Sequence, residues 1–333
     1  MPRLLLTIIC ALLWLPLAAQ QTPESKPDPQ EDRPVQTLSV NVDVVNVLCN
    51  VKDKRGALVP GLNKEDFQLS EDGKAQTIKY FSPESDLPLT LGILIDTSVS
   101  QERVLGMEQQ VGAQFLREVL RQKDLAFVMS FDVNVDLMQD YTASAQELRR
   151  ALERVRINSG GGMYSGIPGV GQGPIPSANV PRGTLLYDAI YLAGTEKLAR
   201  EVGRKAMIVL TDGEDQGSQE KIEDAIEAAQ KADTICYVLL IADRGFYGGA
   251  YSGEGKMKKL SEETGGRMIP VGNKMEKLKE AFDQITSELR NQYSLGYTPT
   301  NRAKDGKFRK IEIHAGKGEY KVQTRRGYYA LAQ

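Results

Sequence analysis

Leu89-Thr90-Leu91-Gly92-Ile93-Leu94-Ile95-Asp96-Thr97-Ser98-Val99-Ser100 changes character at a single residue. A nearly unbroken apolar run of strand length stops at Asp96, and two hydroxyls follow in the pattern Asp96-x-Ser98-x-Ser100. A continuous rather than alternating apolar run suits a parallel strand covered on both faces. A polar turn just past such a strand's carboxyl end lies on the edge where open α/β sheets place their ligand sites. All three side chains are oxygen donors. A hard cation such as Mg²⁺ takes six oxygens at about 2.0–2.1 Å and keeps some water among them, so one turn cannot fill the shell alone.

Two further stretches can supply the missing oxygens. Gly183-Thr184 precedes an amphipathic segment, and Ala206-Met207-Ile208-Val209-Leu210-Thr211-Asp212-Gly213 is a second buried strand ending in an acid. Two alternatives stand beside this reading. Asp96 and Ser98 are residue types that also cap helices, and Thr142, which follows a strand-like run, competes with Thr184 for the third hydroxyl position. Taken together, Asp-x-Ser-x-Ser, then Thr, then Asp after a strand, resembles the metal-ion-dependent adhesion site of von Willebrand factor A (VWA) domains, over about residues 88 to 290. The resemblance implies hydroxyl ligands at Ser98, Ser100 and Thr184, with Asp96 and Asp212 close by, often through water. It implies Mg²⁺, with Mn²⁺ or Ca²⁺ also open, and a sixth position taken by an acidic residue of a partner protein or surface ligand. The chemistry is coherent, because a dication held mostly by neutral donors stays electrophilic towards an incoming carboxylate.

Composition narrows the classes. The 333 residues are 41% apolar and 26% charged with a formal net charge of -2, which is ordinary globular composition with room for two domains. It gives no electrostatic case for nucleic acid. Residues 1–21, with Arg3, an apolar Leu4 to Leu17 core and Ala18-Ala19, read as a secretory signal peptide. That core falls short of the roughly 20 residues that span a bilayer. An exported protein is expected, periplasmic, envelope-associated or secreted, with no further membrane segment. Cys49 and Cys236 sit in separate apolar strand runs and are expected as buried thiols. With a single histidine, His314, and no cysteine cluster, a zinc site of the usual Cys/His type is excluded. His314 itself reads as an outward-facing residue of a late strand.

Around this centre the chain divides. Residues 22–38, rich in Pro, Gln, Glu and Asp, form a disordered linker. Val40, Val42 and Val44 alternate with polar residues, then the phase slips to Val45, Val47, Cys49 and Val51, the trace of a β-bulge. Short strands are predicted over 67–70 and 77–81 around Asp72-Gly73. Alternation returns at Tyr293, Leu295 and Tyr297, at Ile311 and Ile313, and at Tyr320 and Val322. Residues 39–85 and 291–333 are therefore expected to pair into one small all-β sandwich, with residues 88–290 inserted as a doubly wound, mostly parallel α/β sheet of six strands. This layout is similar to an exported bacterial VWA-related family frequent in Acidobacteria, where Pro60-Gly61-Leu62-x-x-x-Asp66-Phe67 and Arg326-Gly327-Tyr328-Tyr329 have counterparts.

Helical spacing is predicted over Val104 to Val119, Gln146 to Val155, Thr184 to Ala199, Lys221 to Lys231, Met257 to Glu263, and the closing segment with Met275, Leu278, Phe282, Ile285 and Leu289. Two loops on the same edge as the polar turn are candidates for partner contact: 158–183 with Met163 and Tyr164, and 244–256 with Phe246, Tyr247 and Tyr251. The glycines of the first do not match a nucleotide fingerprint. The reading is a cation-dependent protein-binding module rather than an enzyme. One alternative is a structural envelope protein with a vestigial site. Another is a Mg²⁺-dependent phosphohydrolase of the haloacid dehalogenase type, which needs a carboxylic general acid two residues past the nucleophilic Asp, where this chain has Ser98. A chelatase-type assembly role is weakened by export and by the missing nucleotide motif.

Overall fold

Residues 44–83, 87–157, 183–241, 252–316 and 320–332 are described in the structure, a computed structural model. Four short strands open this part of the chain: β1 (Val45–Lys52), β2 (Phe67–Glu71), β3 (Lys74–Gln76) and β4 (Ile78–Pro83). Four more close it: β11 (Tyr293–Tyr297), β12 (Phe308–Ala315), β13 (Lys321–Thr324) and β14 (Gly327–Tyr329). Each of the two four-stranded sheets draws strands from both sets. One antiparallel sheet has the order β13-β1-β11-β4 and the second β14-β12-β2-β3, with Val47 opposite Leu295 and Leu69 opposite Ile313.

The alternation of the sequence sets which side chains meet between these sheets. Val47, Cys49, Val51, Phe67, Leu69, Leu295, Ile311 and Ile313 form their common core, while His314 faces out from β12 as expected. The Phe67 and Tyr293 rings lie 5.2 Å apart by centroid. The Tyr293 hydroxyl donates to Val59 O at 2.7 Å and accepts from Leu62 N, which pins the Pro60-Gly61-Leu62 turn onto the core. Residues 40–43, where half of the proposed bulge falls, lie outside the described residues, as do residues 1–38, expected from the sequence as signal peptide and linker.

Between the two sets of strands lies the six-stranded sheet: β5 (Leu89–Asp96), β6 (Leu125–Phe131), β7 (Val135–Thr142), β8 (Arg204–Thr211), β9 (Thr234–Leu240) and β10 (Met268–Pro270), in the order β10-β9-β8-β5-β6-β7. All neighbours are parallel except the edge strand β7. Every residue of β5, β8 and β9 is buried, because helices cover both faces. α1 (Leu105–Val119), α2 (Ala145–Arg154) and α6 (Met275–Arg290) pack on Leu91, Ile93 and Ile95. α3 (Leu186–Leu192), α4 (Ile222–Lys231) and α5 (Ser252–Glu263) pack on Leu94, Met207 and Val209. The chain leaves β5 towards β6 on one side and returns to β8 on the other, so the strand order switches between β5 and β8.

The predicted helix over Thr184 to Ala199 is shorter and irregular. α3 ends at Leu192, a π-helical stretch covers Ala193–Lys197, and a 3₁₀ turn covers Leu198–Arg200. Gly194 in this stretch presses on α4: a Cβ there would lie 3.1 Å from Ala228 C. Helical periodicity does not report such a contact.

One buried carboxylate ties the sandwich to the α/β layer. Glu288, near the end of α6, meets Lys52 Nζ of β1 at 2.9 Å and Arg267 Nε at 2.7 Å through Oε1, and accepts from Gln323 Nε2 of β13 at 3.2 Å through Oε2. Its main-chain oxygen accepts from Asn50 Nδ2 at 2.8 Å. Only Asn291 and Gln292 separate α6 from β11. Cys49 and Cys236 are free and buried, and burial pushes both thiols up to about 12.

Candidate metal centre

Asp96 ends β5 at the strand switch with 0% of its surface exposed. A buried carboxylate needs partners for its lone pairs, and two are local to this sheet edge. Asp96 Oδ1 accepts from Ser98 N at 3.0 Å, and Oδ2 accepts from the Thr211 hydroxyl at 2.7 Å. Thr211 is the last residue of β8, so the neighbouring strand aims Asp96. The intervening Thr97 donates to Asp132 Oδ2 at 2.8 Å, anchoring the turn to the loop after β6. The Ser98 and Ser100 hydroxyls are 2.9 Å apart, Ser98 half-buried and Ser100 exposed. Ser98 precedes a 3₁₀ turn over Val99–Gln101, but its side chain makes no capping bond. The capping alternative therefore fails for Ser98, and both hydroxyls remain donors at this edge.

Asp212 follows Thr211 with 5% exposure, and its Oδ1 accepts from Glu214 N at 3.1 Å. The turn depends on Gly213, whose φ of +87° is open to few other residues. Its N–H donates to the Thr211 hydroxyl at 3.0 Å. The first turn of α5 lies against this bend: a Cβ on Gly253 would fall 2.1 Å from Gly213 O. Gly253→Ala should therefore destabilise the chain by about 1–3 kcal/mol through overpacking and shift the Asp212 turn. Urea unfolding measures the loss, and an unchanged midpoint would show that the contact relaxes freely.

The two candidate threonines separate by sheet edge. Thr142 pairs with Ala126, near the start of β6, and its hydroxyl donates to Glu147 Oε2 at 2.6 Å. That is the edge opposite Asp96, which pairs with Phe131 at the end of β6. Thr184 is buried and forms a two-bond bridge with Gln216, in the loop that carries Asp212 (N to O 2.9 Å and O to N 3.0 Å). Leu185 N donates to Asp132 O at 2.8 Å. Thr184 is thus tied to the loops after both β6 and β8. Asp215 accepts from Tyr187 N at 3.1 Å and from the Ser218 hydroxyl at 2.6 Å, holding the start of α3.

The electrostatics are those of acids crowded away from water. Burial, then the charge of Asp212, raises the Asp96 pKa from 3.8 to about 7, against the hydrogen bonds from Ser98 and Thr211. Glu108 of α1 is buried, and neither carboxylate oxygen has a hydrogen-bond partner among the described residues. Burial, then Asp96, holds its carboxyl well above the usual range. Gln101 Oε1 is likewise buried without a partner among the described residues. Two adjacent buried acids with two hydroxyls at their rim make an all-oxygen donor set that fits a hard dication. Among the described residues no group of three or more His, Cys, Asp and Glu could hold a metal, so an ion here depends on the hydroxyls.

This arrangement has a pH signature. An acid whose pKa is raised by folding contributes stability that is complete below its unfolded value and is lost as pH rises through the folded one. For Asp96 the window runs from 3.8 to about 7. In EDTA, the melting temperature of the wild type minus that of Asp96→Asn should fall between pH 4 and pH 8. Saturating Mg²⁺ should remove most of the fall. A flat difference would show that Asp96 ionises as easily as an exposed acid.

Met163, Tyr164, Phe246, Tyr247 and Tyr251 lie outside the described residues. Of the residues that shape the site, Thr211, Asp132 and Glu108 were not singled out from the sequence. The available signals were a polar residue closing an apolar strand, an acid directly after another, and a charge on the apolar stripe of a helix.

No family model and no curated protein matches this chain. Solved structures do resemble it. Protein BatB from Bacteroides thetaiotaomicron is 19% identical, with 60% of this chain and 98% of that one covered and a TM-score of 0.44. Proximal thread matrix protein 1 from the mussel byssus, with a zinc-occupied MIDAS motif, is 13% identical, with 66% of this chain and 50% of that one covered and a TM-score of 0.47. The SpRpn10 VWA domain is 11% identical, with 60% and 95% covered and a TM-score of 0.40. The chain spans about half the length of the mussel protein it matches. Among the described residues no helix is long and apolar enough to cross a membrane.

Proposed function

We propose that this chain is an exported, divalent-cation-dependent protein-binding module that captures an acidic residue of a partner. The observation that carries the reading is the pair of buried carboxylates at the β5/β8 switch. Asp96 is held by Thr211 and raised by Asp212, and the Ser98 and Ser100 hydroxyls stand at the rim. Ser98, Ser100 and Thr184, with Asp96 and Asp212, would hold Mg²⁺, with Mn²⁺ or Ca²⁺ as alternatives. The ion supplies an electrophilic position for an incoming carboxylate. Thr211 and the Asp132–Thr97 bond keep the two acid-bearing segments in place, and the apolar strands beneath exclude water from Asp96. The loops with Met163, Tyr164, Phe246, Tyr247 and Tyr251 would add partner contacts.

In this reading the chain is not an enzyme. Two residues past Asp96 stands Ser98, whose hydroxyl lies against Ser100 and cannot serve as a carboxylic general acid. Export to the cell envelope is proposed from the apolar core at Leu4 to Leu17. A pull-down from envelope extract tests the function: a partner should be retained by the wild type in Mg²⁺ and lost both in EDTA and with Asp212→Ala. Retention of the same proteins under all three conditions would overturn the proposal.

A further inference from the structure

A cleft of about 600 Å³ opens where the sandwich meets the α/β layer, far in sequence from Asp96. Its size is that of a ligand pocket. Four consecutive residues of β12, Ile311 to His314, line it, and so do the four residues of β13 from Lys321 to Thr324. A strand shows only alternate residues on each face, so consecutive lining residues mean that the cleft runs along the edges of both strands. The topology agrees. β13 is the outermost strand of its sheet. β14 pairs with β12 only from Phe308 to Lys310, and beyond the bond from Ile311 N to Arg326 O no ladder partner follows on that side among the described residues.

The lining is cationic although the whole chain carries a formal net charge of -2. Lys52, Arg267, Lys321, Arg325 and Arg326 border the cleft, against the acids Glu262 and Glu312. Several of these charges are already matched: Lys52 and Arg267 share Glu288, Arg325 pairs with Asp233, and Glu312 pairs with Lys310. Lys321 and Arg326 are exposed and form no ion pair among the described residues. Open strand edges recognise an extended backbone, and free cations beside them recognise carboxylates.

We propose that this cleft binds an extended acidic peptide segment, adding as a strand along the open edges of β12 and β13 with its carboxylates at Lys321 and Arg326. The site is separate from the candidate metal centre and needs no cation. Four strand residues span about 13 Å, so the segment engaged is short.

Fluorescence anisotropy of the full chain in EDTA tests this with a labelled (Glu-Val)₄ octapeptide. Saturable binding is expected, at least ten-fold weaker for the (Gln-Val)₄ peptide and for a (Glu-Val)₄ peptide N-methylated at alternate amides. The double variant Lys321→Glu/Arg326→Glu should weaken binding at least ten-fold at an unchanged melting temperature, since both side chains are exposed. No saturable binding, or equal affinity in the double variant, would overturn the proposal. Equal affinity for the N-methylated peptide, or full displacement by micromolar tripolyphosphate, would replace the strand-edge site with a plain anion site and overturn it as well. Binding that appears only with Mg²⁺ would place the peptide at the metal centre, against the proposal.

Discussion

Asp212→Ala should lower Mg²⁺ affinity by about 100-fold, the upper end of the range for loss of a metal-orienting partner. The effect follows from position. Asp212 stands at the exit of β8 with 5% exposure, and its charge is the largest cause after burial of the raised Asp96 pKa. Without it the site keeps one buried carboxylate, and the electrostatic preference for a dication falls with it. The same substitution should make the metal-free chain more stable at pH 8, because Asp96 can then ionise without a like charge beside it. Loss of metal binding with a gain in metal-free stability distinguishes a strained site from simple unfolding. Thr142→Ala is the matched control: its hydroxyl lies at the opposite sheet edge on Glu147, so Mg²⁺ affinity should be unchanged. Calorimetric titration and thermal melts of the three proteins provide the readout.

Glu288→Ala should cost about 3–5 kcal/mol, the range for breaking a buried ion pair from one side. Lys52 and Arg267 both lose their carboxylate, at 2.9 and 2.7 Å, and Gln323 loses one of its acceptors. These groups come from β1, from the turn before β10 and from β13, so the loss falls on the seam between sandwich and sheet. Lys52→Met alone should cost less, because Arg267 still neutralises Glu288. Urea unfolding of both variants gives the comparison, and a cost below about 1 kcal/mol for Glu288→Ala would show that water substitutes for the carboxylate.

Much of the architecture was legible because burial on two faces leaves a mark on sequence. β5 and the 206–210 part of β8 read as nearly continuous apolar runs since every residue in them is buried, while Arg204 and Lys205, buried at the start of β8, left no such mark. β12 read as strict alternation since only one face is. The stripe of α6 was visible in Leu278, Phe282, Ile285 and Leu289, all buried, although Met275 at its start is largely exposed. β3 was missed because three residues carry no periodicity. The break after α3 was missed because it reflects Gly194 against Ala228 rather than local preference.

The site divides in the same way. Asp96, Ser98, Ser100 and Asp212 announce themselves as polar residues following apolar strands. Thr184 could be separated from Thr142 only once the register of β7 on β6 showed which sheet edge each occupies. Glu108 and Glu288 point to a rule for reading helices. Each falls three residues from a buried apolar side chain, Val111 in one case and Ile285 in the other, so a charge on an apolar stripe marks a buried acid. One such acid lies beside the candidate metal centre, and the other locks the two layers together.

Five oxygen-bearing side chains from three separated segments are proposed to form one cation site. Calorimetric titration of the metal-free full chain with Mg²⁺ and with Mn²⁺ at pH 7.5 tests it most directly. One ion per chain should bind, with saturable heat that disappears in Asp96→Ala and in the double variant Ser98→Ala/Ser100→Ala. The absence of saturable uptake by the wild type, or uptake that survives in both variants, would contradict it.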